Sequence, residues 1–163
     1  MKSLILKRII AFAIDYILIL IYGTVLYFIT IQFGAKNLSP IEGQIVGFVS
    51  LTLPVFLYFY LTENSLQHAT LGKRIQKIRV NTSNQQSSVL KRNFIKFLPW
   101  EIAHIGVHWI SYFSNHSINP PLWVWIVLIV PQITVLYYMI SILRSKGKGS
   151  LYDDFAKTEV VVK

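Results

Sequence analysis

The chain has 163 residues, of which 53% are hydrophobic and only 14% are charged, whereas a soluble domain carries roughly 25% charged residues. This composition excludes a soluble globular fold and predicts one membrane-embedded domain over residues 1–163, too short for a second domain. The absence of cysteine excludes a disulfide framework and thiol-based metal or redox chemistry.

Four apolar segments follow one another along the chain, each near the ~20 residues that a helix needs to cross a bilayer. They span residues 9–31, 44–61, 94–113 and 122–143, and the third is the least apolar. Basic residues precede the first segment as they do in a signal peptide. That segment is too long for one, however, and no small-residue cleavage site follows it, so we expect it to be retained. The sequence therefore predicts an all-α membrane protein built as a four-helix transmembrane bundle.

Lysine and arginine residues are distributed unevenly among the segments that connect these spans. With the N-terminus in the cytoplasm, every one of the 16 except Lys36 lies on the cytoplasmic side. The positive-inside rule therefore predicts a multi-pass cell-membrane protein with both termini in the cytoplasm. Topology and attraction to anionic lipid headgroups then explain the net charge of +9. Because the basic residues are scattered around the membrane ends, we expect no nucleic-acid partner.

The segment QHATLGKRIQKIRV follows the second span, and its apolar residues have helical spacing. Leu71, Ile75 and Ile78 fall at i, i+4 and i+7, with the basic residues elsewhere around the turn. This pattern is typical of a short amphipathic helix that lies on the inner leaflet with its basic residues towards the headgroups.

Two segments outside the apolar spans, IRVNT and the C-terminal TEVVVK, are β-prone. We expect them to pair as a small cytoplasmic β-ribbon, with Arg79 near Val161. Ser87 or Ser88 would then cap the helix that leads into the third span. The pairing would also bring Asp153 towards the mouth of the first span.

Asp15 is the only charged residue in the first span, and Arg8 precedes it by seven residues, or two helical turns. The two side chains should therefore share a face, with Asp15 about 10 Å deeper than Arg8. A charge at that depth costs a few kcal/mol and is functional by default. A carboxylate with a tuned pKa could exchange a proton or bind a monovalent cation. Alternatively, Asp15 is a structural acid tied to Arg8 or to a polar group of another helix.

Glu101, His104 and His108 form a second candidate site in the third span. Their E-x-x-H-x-x-x-H spacing puts all three on one helical face. Such a set could relay protons, because histidine titrates near neutral pH, or hold a transition metal. It could also be wetted or packed against loops if this span is partly interfacial. Counted from the start of each span, Glu101 and Asp15 should lie at the same depth, about 10 Å from the cytoplasmic face.

Arg8, Asp15, the QHATLGKRIQKIRV segment and the ending LYDDFAKTEVV together resemble the RDD family of small bacterial membrane proteins. That family is named for an arginine and an aspartate in the first helix and a second aspartate later. Its ending resembles an aspartate followed five residues on by Thr-x-Val, which selects Asp153 from Thr158. Lys157 departs from the pattern, because a small glycine usually follows the alanine.

The resemblance implies a modest function: transport has been proposed for such proteins, and some resemble cation/proton antiporters. We therefore expect a cation/proton exchanger that uses Asp15, with Glu101, His104 and His108 as a relay. Four spans are few for a transporter, so a homo-oligomer is expected. The alternative is a non-catalytic protein that binds or regulates another membrane protein. In that case Arg8, Asp15 and Asp153 would hold the fold. We expect no enzymatic activity, no metal and no cofactor.

Overall fold

The computed structural model describes residues 3–33, 38–82 and 84–163, and Lys36 lies outside that part of the chain. The described residues are mostly helical, with one small sheet. In chain order, the elements are α1 (Leu4–Phe33), α2 (Pro40–Gly47), a π-helix (Phe48–Thr52), α3 (Leu53–Asn64), α4 (Leu71–Ile75), β1 (Ile78–Asn81), α5 (Gln85–Asn115), α6 (Leu122–Arg144), α7 (Leu151–Ala156) and β2 (Glu159–Val162).

Three helical segments of the described chain are long and apolar enough to span a membrane. They are Leu4–Gln32, the continuous run of α2, the π-helix and α3 (Pro40–Asn64), and Leu122–Arg144. The expected third span, residues 94–113, lies within α5, which has 31 residues and is therefore long enough. Its charged and histidine residues make α5 less apolar than the other three. The predicted membrane protein with apolar helices is thus confirmed, and its fourth span stays a prediction.

α5 is the central helix of the fold, since it packs against α2, α3, α6 and α7. α1 packs mainly against the short α4 and touches the second apolar helix near the π-helix. The apolar side chains of α1 and α6 are largely exposed, as lipid-facing side chains are in a membrane helix. The buried residues therefore concentrate at the end of the helices where β1, β2 and α7 lie, which we call the terminal end.

β1 and β2 pair antiparallel and confirm the predicted ribbon. Arg79 lies opposite Val161, as expected, and Ile78 lies opposite Val162. Ile78 and Val160 turn inward and form a small apolar core with Ala11 of α1. The sheet thereby fastens the C-terminal residues against the beginning of the first helix.

A short helix forms in the predicted amphipathic segment, but its predicted extent and the outward position of Lys73 were wrong. α4 ends at Ile75, and Lys77 has a left-handed backbone (φ 53°) that turns the chain into β1, so Ile78 belongs to the strand. Lys73 is buried rather than turned to headgroups, whereas Leu71 and Ile75 are exposed. The physical reason is the buried carboxylate of Glu63, which takes Lys73 as its cation.

The predicted cap of α5 was also wrong. α5 begins at Gln85 with Asn84 in the N-cap position, so Ser87 and Ser88 lie within its first turn. Their side chains therefore cannot serve as the N-cap.

Prolines interrupt three helical runs, at Pro54, Pro99 and Pro131, and at the first two a tyrosine hydroxyl from a neighbouring helix compensates. Pro54 has no N–H for the carbonyl of Ser50, four residues earlier, and that carbonyl accepts from the Tyr22 hydroxyl at 2.6 Å. Pro99 likewise has no N–H for the carbonyl of Ile95, which accepts from the Tyr138 hydroxyl at 3.1 Å. These bonds link α1 to the π-helix and α6 to α5.

Candidate functional site

Arg8 and Asp153 meet at the terminal end, as the ribbon pairing predicts. The Arg8 guanidinium donates to Asp153 Oδ2 at 3.1 Å, to the Tyr152 hydroxyl at 3.2 Å and to the Gly147 carbonyl at 3.0 Å. Both partners of the ion pair are buried. Arg8 therefore fastens the start of α1 to α7 and to the turn before it.

Asp153 is fully buried, and all the polar capacity of its carboxylate is used. Besides Arg8, it accepts from Arg92 Nε at 2.6 Å, from the Thr158 hydroxyl at 2.9 Å and from the Ser150 backbone N–H at 2.9 Å. Burial alone would raise the pKa of Asp153, but Arg92 and Arg8 outweigh it and hold that pKa below its ordinary value. Asp153 is thus an ionised carboxylate at neutral pH.

Glu63, at the end of α3, extends this arrangement and was missed by sequence reasoning. Arg92 bridges Asp153 to Glu63, and the Lys73 ammonium also donates to Glu63. The side-chain amide of Asn93 donates to the same carboxylate at 3.0 Å. Burial lowers the pKa of Lys73 to about 8, Arg92 acts in the same direction, and Glu63 opposes both.

We call Arg8, Glu63, Lys73, Arg92 and Asp153 the charged cluster. It joins α1, α3, α4, α5 and α7 through alternating charges. An acid at the end of an apolar span, followed by a basic segment, was the one available signal for Glu63.

Asp15 lies apart from this cluster and does not pair with Arg8. Its carboxylate accepts from the Tyr58 hydroxyl at 2.9 Å, the Thr70 hydroxyl at 2.6 Å and the Gly72 backbone N–H at 2.9 Å. Of the two structural partners considered for Asp15, Arg8 does not bind it, and neutral polar groups of other elements do. With the side chain only 2% exposed, Asp15 docks the 70–72 segment onto α1.

Gly72 makes this docking possible, because α4 approaches the backbone of α1 closely there. A Cβ atom at this position would lie 2.1 Å from the Ala11 carbonyl oxygen, far inside van der Waals contact. The TLGK part of the QHATLGKRIQKIRV segment thus has one shared role. Thr70 and Gly72 bind Asp15, and Lys73 binds Glu63.

Glu101 and His104 lie between α2 and α5, remote from the charged cluster. The Gln44 amide of α2 donates to Glu101 Oε1, and Glu101 Oε2 lies 3.9 Å from His104 Nδ1. That Oε2 atom is buried and accepts no hydrogen bond within the described part of the chain, and the same holds for Gln44 Oε1. Buried polar atoms are normally paired, so each of these marks a place for a further donor or ion.

His108 continues the face of α5 that carries Glu101 and His104, and the backbone of α2 covers its ring. A Cβ at Gly43 would lie 2.7 Å from His108 Nδ1, and one at Gly47 would lie 3.5 Å from Nε2. We call Gln44, Glu101, His104 and His108 the polar cluster. Within the described residues, no group of three histidine or carboxylate side chains is arranged to hold a metal ion.

Asp15 and Glu101, which were expected at one depth, have separate surroundings. Asp15 binds the 70–72 segment, whereas Glu101 binds α2, and no hydrogen bond or ion pair joins the two in the described chain. Glu101 follows Arg92 of the charged cluster by nine residues of α5, a rise of about 13 Å along the helix.

A family model described as the RDD family matches residues 3–157. This range includes Arg8, Asp15 and Asp153 and confirms the resemblance found in the sequence. Comparisons with curated proteins and with solved structures found no match.

Proposed function

The chain belongs to the RDD family of membrane proteins, and from this premise we propose that it exchanges protons for a small monovalent cation across the membrane. Glu101 is the carboxylate that binds and releases the ion. The observation that carries this proposal is the buried Glu101 Oε2, which has no hydrogen-bond donor in the described chain. An ionisable side chain with spare capacity inside a membrane helix bundle is a functional site by default.

The carboxylates of the two family aspartates, Asp15 and Asp153, already accept several hydrogen bonds, and this supports the assignment to Glu101. Asp153 accepts from two guanidinium groups, one hydroxyl and one N–H, and Asp15 accepts from two hydroxyls and one N–H. An ion arriving at either carboxylate would have to displace donors that hold the fold together. Glu101, with one donor on Oε1, needs no such displacement, so the ion-binding role moves from Asp15 to Glu101.

Exchange at Glu101 keeps this partly buried site neutral in both states. A proton on Oε2 neutralises the carboxylate, and a monovalent cation at the same oxygen neutralises it after the proton leaves. The groups that face Glu101 are Gln44 from α2 and His104 from its own helix. The apolar half of α6 opposite, residues 122–136, has no titratable side chain. His104 therefore accepts the released proton, and His108 extends the path along α5.

The same proposal includes α5 as the fourth span and sets both termini in the cytoplasm. The terminal end, which carries most of the basic side chains, then faces the inner leaflet and its anionic headgroups. Because four helices enclose little volume, the working unit is a homo-oligomer.

Ion flux in vesicles tests the function. The purified chain is reconstituted into liposomes with an internal pH dye, and sodium or potassium is added outside. We expect a cation-dependent pH change that Glu101→Gln abolishes and that Glu159→Gln, an exposed acid of β2, leaves intact. A wild-type chain that moves no monovalent cation, or a Glu101→Gln variant with full flux, would overturn the proposal. Monodisperse elution of each variant shows that it is folded.

A second candidate function is the binding of another membrane protein, and the outer half of α1 favours it. Beyond Tyr16 this half is largely exposed, and a Cβ at Gly23 would meet no atom within 4 Å. A partner helix could pack there closely. Photo-crosslinking from Gly23 in membranes should capture one defined membrane protein, and labelling of lipid alone would exclude this function.

A further inference from the structure

We infer that α2 is a gate over Glu101, which hinges at the π-helix and is held closed by the hydroxyl of Tyr22. This inference rests on the proposed function, because it names how the ion reaches the Glu101 site. It also makes Gln44 and Tyr22 positioning residues.

The hinge is the segment that joins α2 to α3. The π-helix Phe48–Thr52 replaces the regular ladder there, with the N–H of Leu53 bonded to the carbonyl of Phe48, five residues earlier. Pro54 follows at once. Sharp changes of helix direction arise at prolines and at π-bulges, and this helix has both within seven residues. The second apolar helix, Pro40–Asn64, therefore consists of two helical segments, α2 and α3, that meet at an easily bent junction. We call this junction, residues 48–54, the joint.

One hydrogen bond, from Tyr22 to the joint, holds α2 in the closed position. Its hydroxyl donates to the Ser50 carbonyl, which the N–H of an ordinary residue at position 54 would otherwise engage. This bond comes from α1, a helix that meets the second apolar helix chiefly at the joint. Breaking it would release the backbone at the point where bending is easiest.

The gate covers the polar cluster directly. Gln44 of α2 donates to Glu101, and Gly43 lets the α2 backbone lie on the ring of His108. Apart from its continuation into the joint, α2 packs mainly on α5. Glu101, His104 and His108 are only partly exposed with α2 in place, and swinging α2 away from α5 would uncover all three further without disturbing α3.

Opening would be one-sided. The charged cluster ties α3 to α5 at the terminal end through Glu63 and Arg92, both fully buried. α3 therefore stays in place while α2 moves, and the ion enters from the end of the bundle where α2 begins. The site would thus open towards this end of the bundle while the terminal end stays closed.

Distances between spin labels test the gate, and the chain offers a clean background because it has no cysteine. Labels are placed on cysteines at Ile41 of α2 and Ser111 of α5, both exposed. We expect one dominant distance in the otherwise unchanged chain. In Tyr22→Phe, the population at longer distance should rise about fivefold, the effect of losing one hydrogen bond. Tyr16→Phe, on the same helix and without a hydrogen bond in the described chain, should leave the distribution unchanged.

A pair of glycine variants provides a second, independent test. Gly43→Ala places a methyl group against His108 and should shift the distribution to longer distances, whereas Gly47→Ala, with ordinary contact distances, should not. Identical distributions in all four variants would overturn the gate, whatever the flux assay shows. Conversely, the expected shifts in a chain that moves no ion would leave the gate standing and overturn the proposed function.

Discussion

At the scale of single residues, the two family aspartates hold the fold by different chemistry. Asp153 is bound by two guanidinium groups, and replacing it would leave buried Arg8 without a counter-charge and Arg92 with Glu63 alone. Within the described residues, Asp15 accepts hydrogen bonds from two hydroxyls and a backbone N–H, so it docks the start of α4 rather than pairing with a cation. Both residues are buried acids, but their structural roles differ.

Asp153→Asn should therefore destabilise the protein strongly. Removing one partner of a buried ion pair costs about 3–5 kcal/mol, because Arg92 and Arg8 remain buried without it. Chemical unfolding in detergent micelles, followed by tryptophan fluorescence, measures this cost. The matched control is Asp154→Asn, an exposed neighbour, which should change stability by less than about 0.5 kcal/mol. Equal losses in the two variants would contradict the assigned role of Asp153.

Gly72→Ala should also destabilise, by forcing α4 off α1. The added Cβ would meet a backbone carbonyl that has no room to move, and overpacking of this kind costs about 1–3 kcal/mol or more. Gly23→Ala, on the open face of α1, should be neutral or slightly stabilising. Thermal melting of the two variants decides, and a Gly72→Ala protein that melts like the unchanged chain would exclude the close approach.

At the scale of elements, hydroxyl groups compensate for backbone that proline disrupts. Tyr138→Phe removes the donor to the Ile95 carbonyl and should cost about 1 kcal/mol. Tyr137→Phe, on the exposed side of α6, is the control and should cost nothing measurable. The melting temperatures of the two variants in one detergent give the comparison. If both melt alike, the α5–α6 contact does not depend on this bond.

The elements also show what the sequence could predict and why it stopped there. Hydrophobic length identified the apolar helices and composition identified the two strands, because both signals are local. The two strands then paired as predicted, with Arg79 opposite Val161. The predicted outward position of Lys73 was wrong because it depends on Glu63, ten residues away in another helix. No local sequence pattern indicates with which buried acid a lysine will form an ion pair.

The contacts within the site, like the elements of the fold, were predicted only in part. The meeting of Arg8 with Asp153 followed from the ribbon pairing, which brings the chain ends together. The partners of Asp15 and Glu101 did not follow, since Thr70, Gly72 and Gln44 are ordinary residues until the helices pack. Spacing along one helix predicted the shared face of Glu101, His104 and His108, but it could not predict that α2 covers it.

At the scale of the whole molecule, the protein has a buried charged cluster at its terminal end and a polar site among its helices. The charged cluster should determine how stability depends on pH. Because the folded pKa of Asp153 lies below its ordinary value of 3.8, the ionised carboxylate stabilises the fold fully above that value. This stabilisation is lost as the pH falls through the folded pKa.

We therefore expect the contribution of Asp153 to the free energy of unfolding to be constant between pH 5 and pH 7. Below about pH 4 this contribution should decline. Unfolding in detergent at a series of pH values measures the profile. In Asp153→Asn the acid decline should be shallower. An unchanged decline would assign it to other carboxylates.

The most direct test of the central claim, that the family aspartates hold the fold and Glu101 exchanges the ion, compares flux per folded molecule in two variants. Each variant is reconstituted, its folded fraction is measured, and cation-dependent proton flux is divided by that fraction. The account predicts that Glu101→Gln folds normally and moves no ion, whereas Asp15→Asn folds less well yet its folded molecules still exchange. Full flux in Glu101→Gln, together with a well-folded but inactive Asp15→Asn, would contradict it.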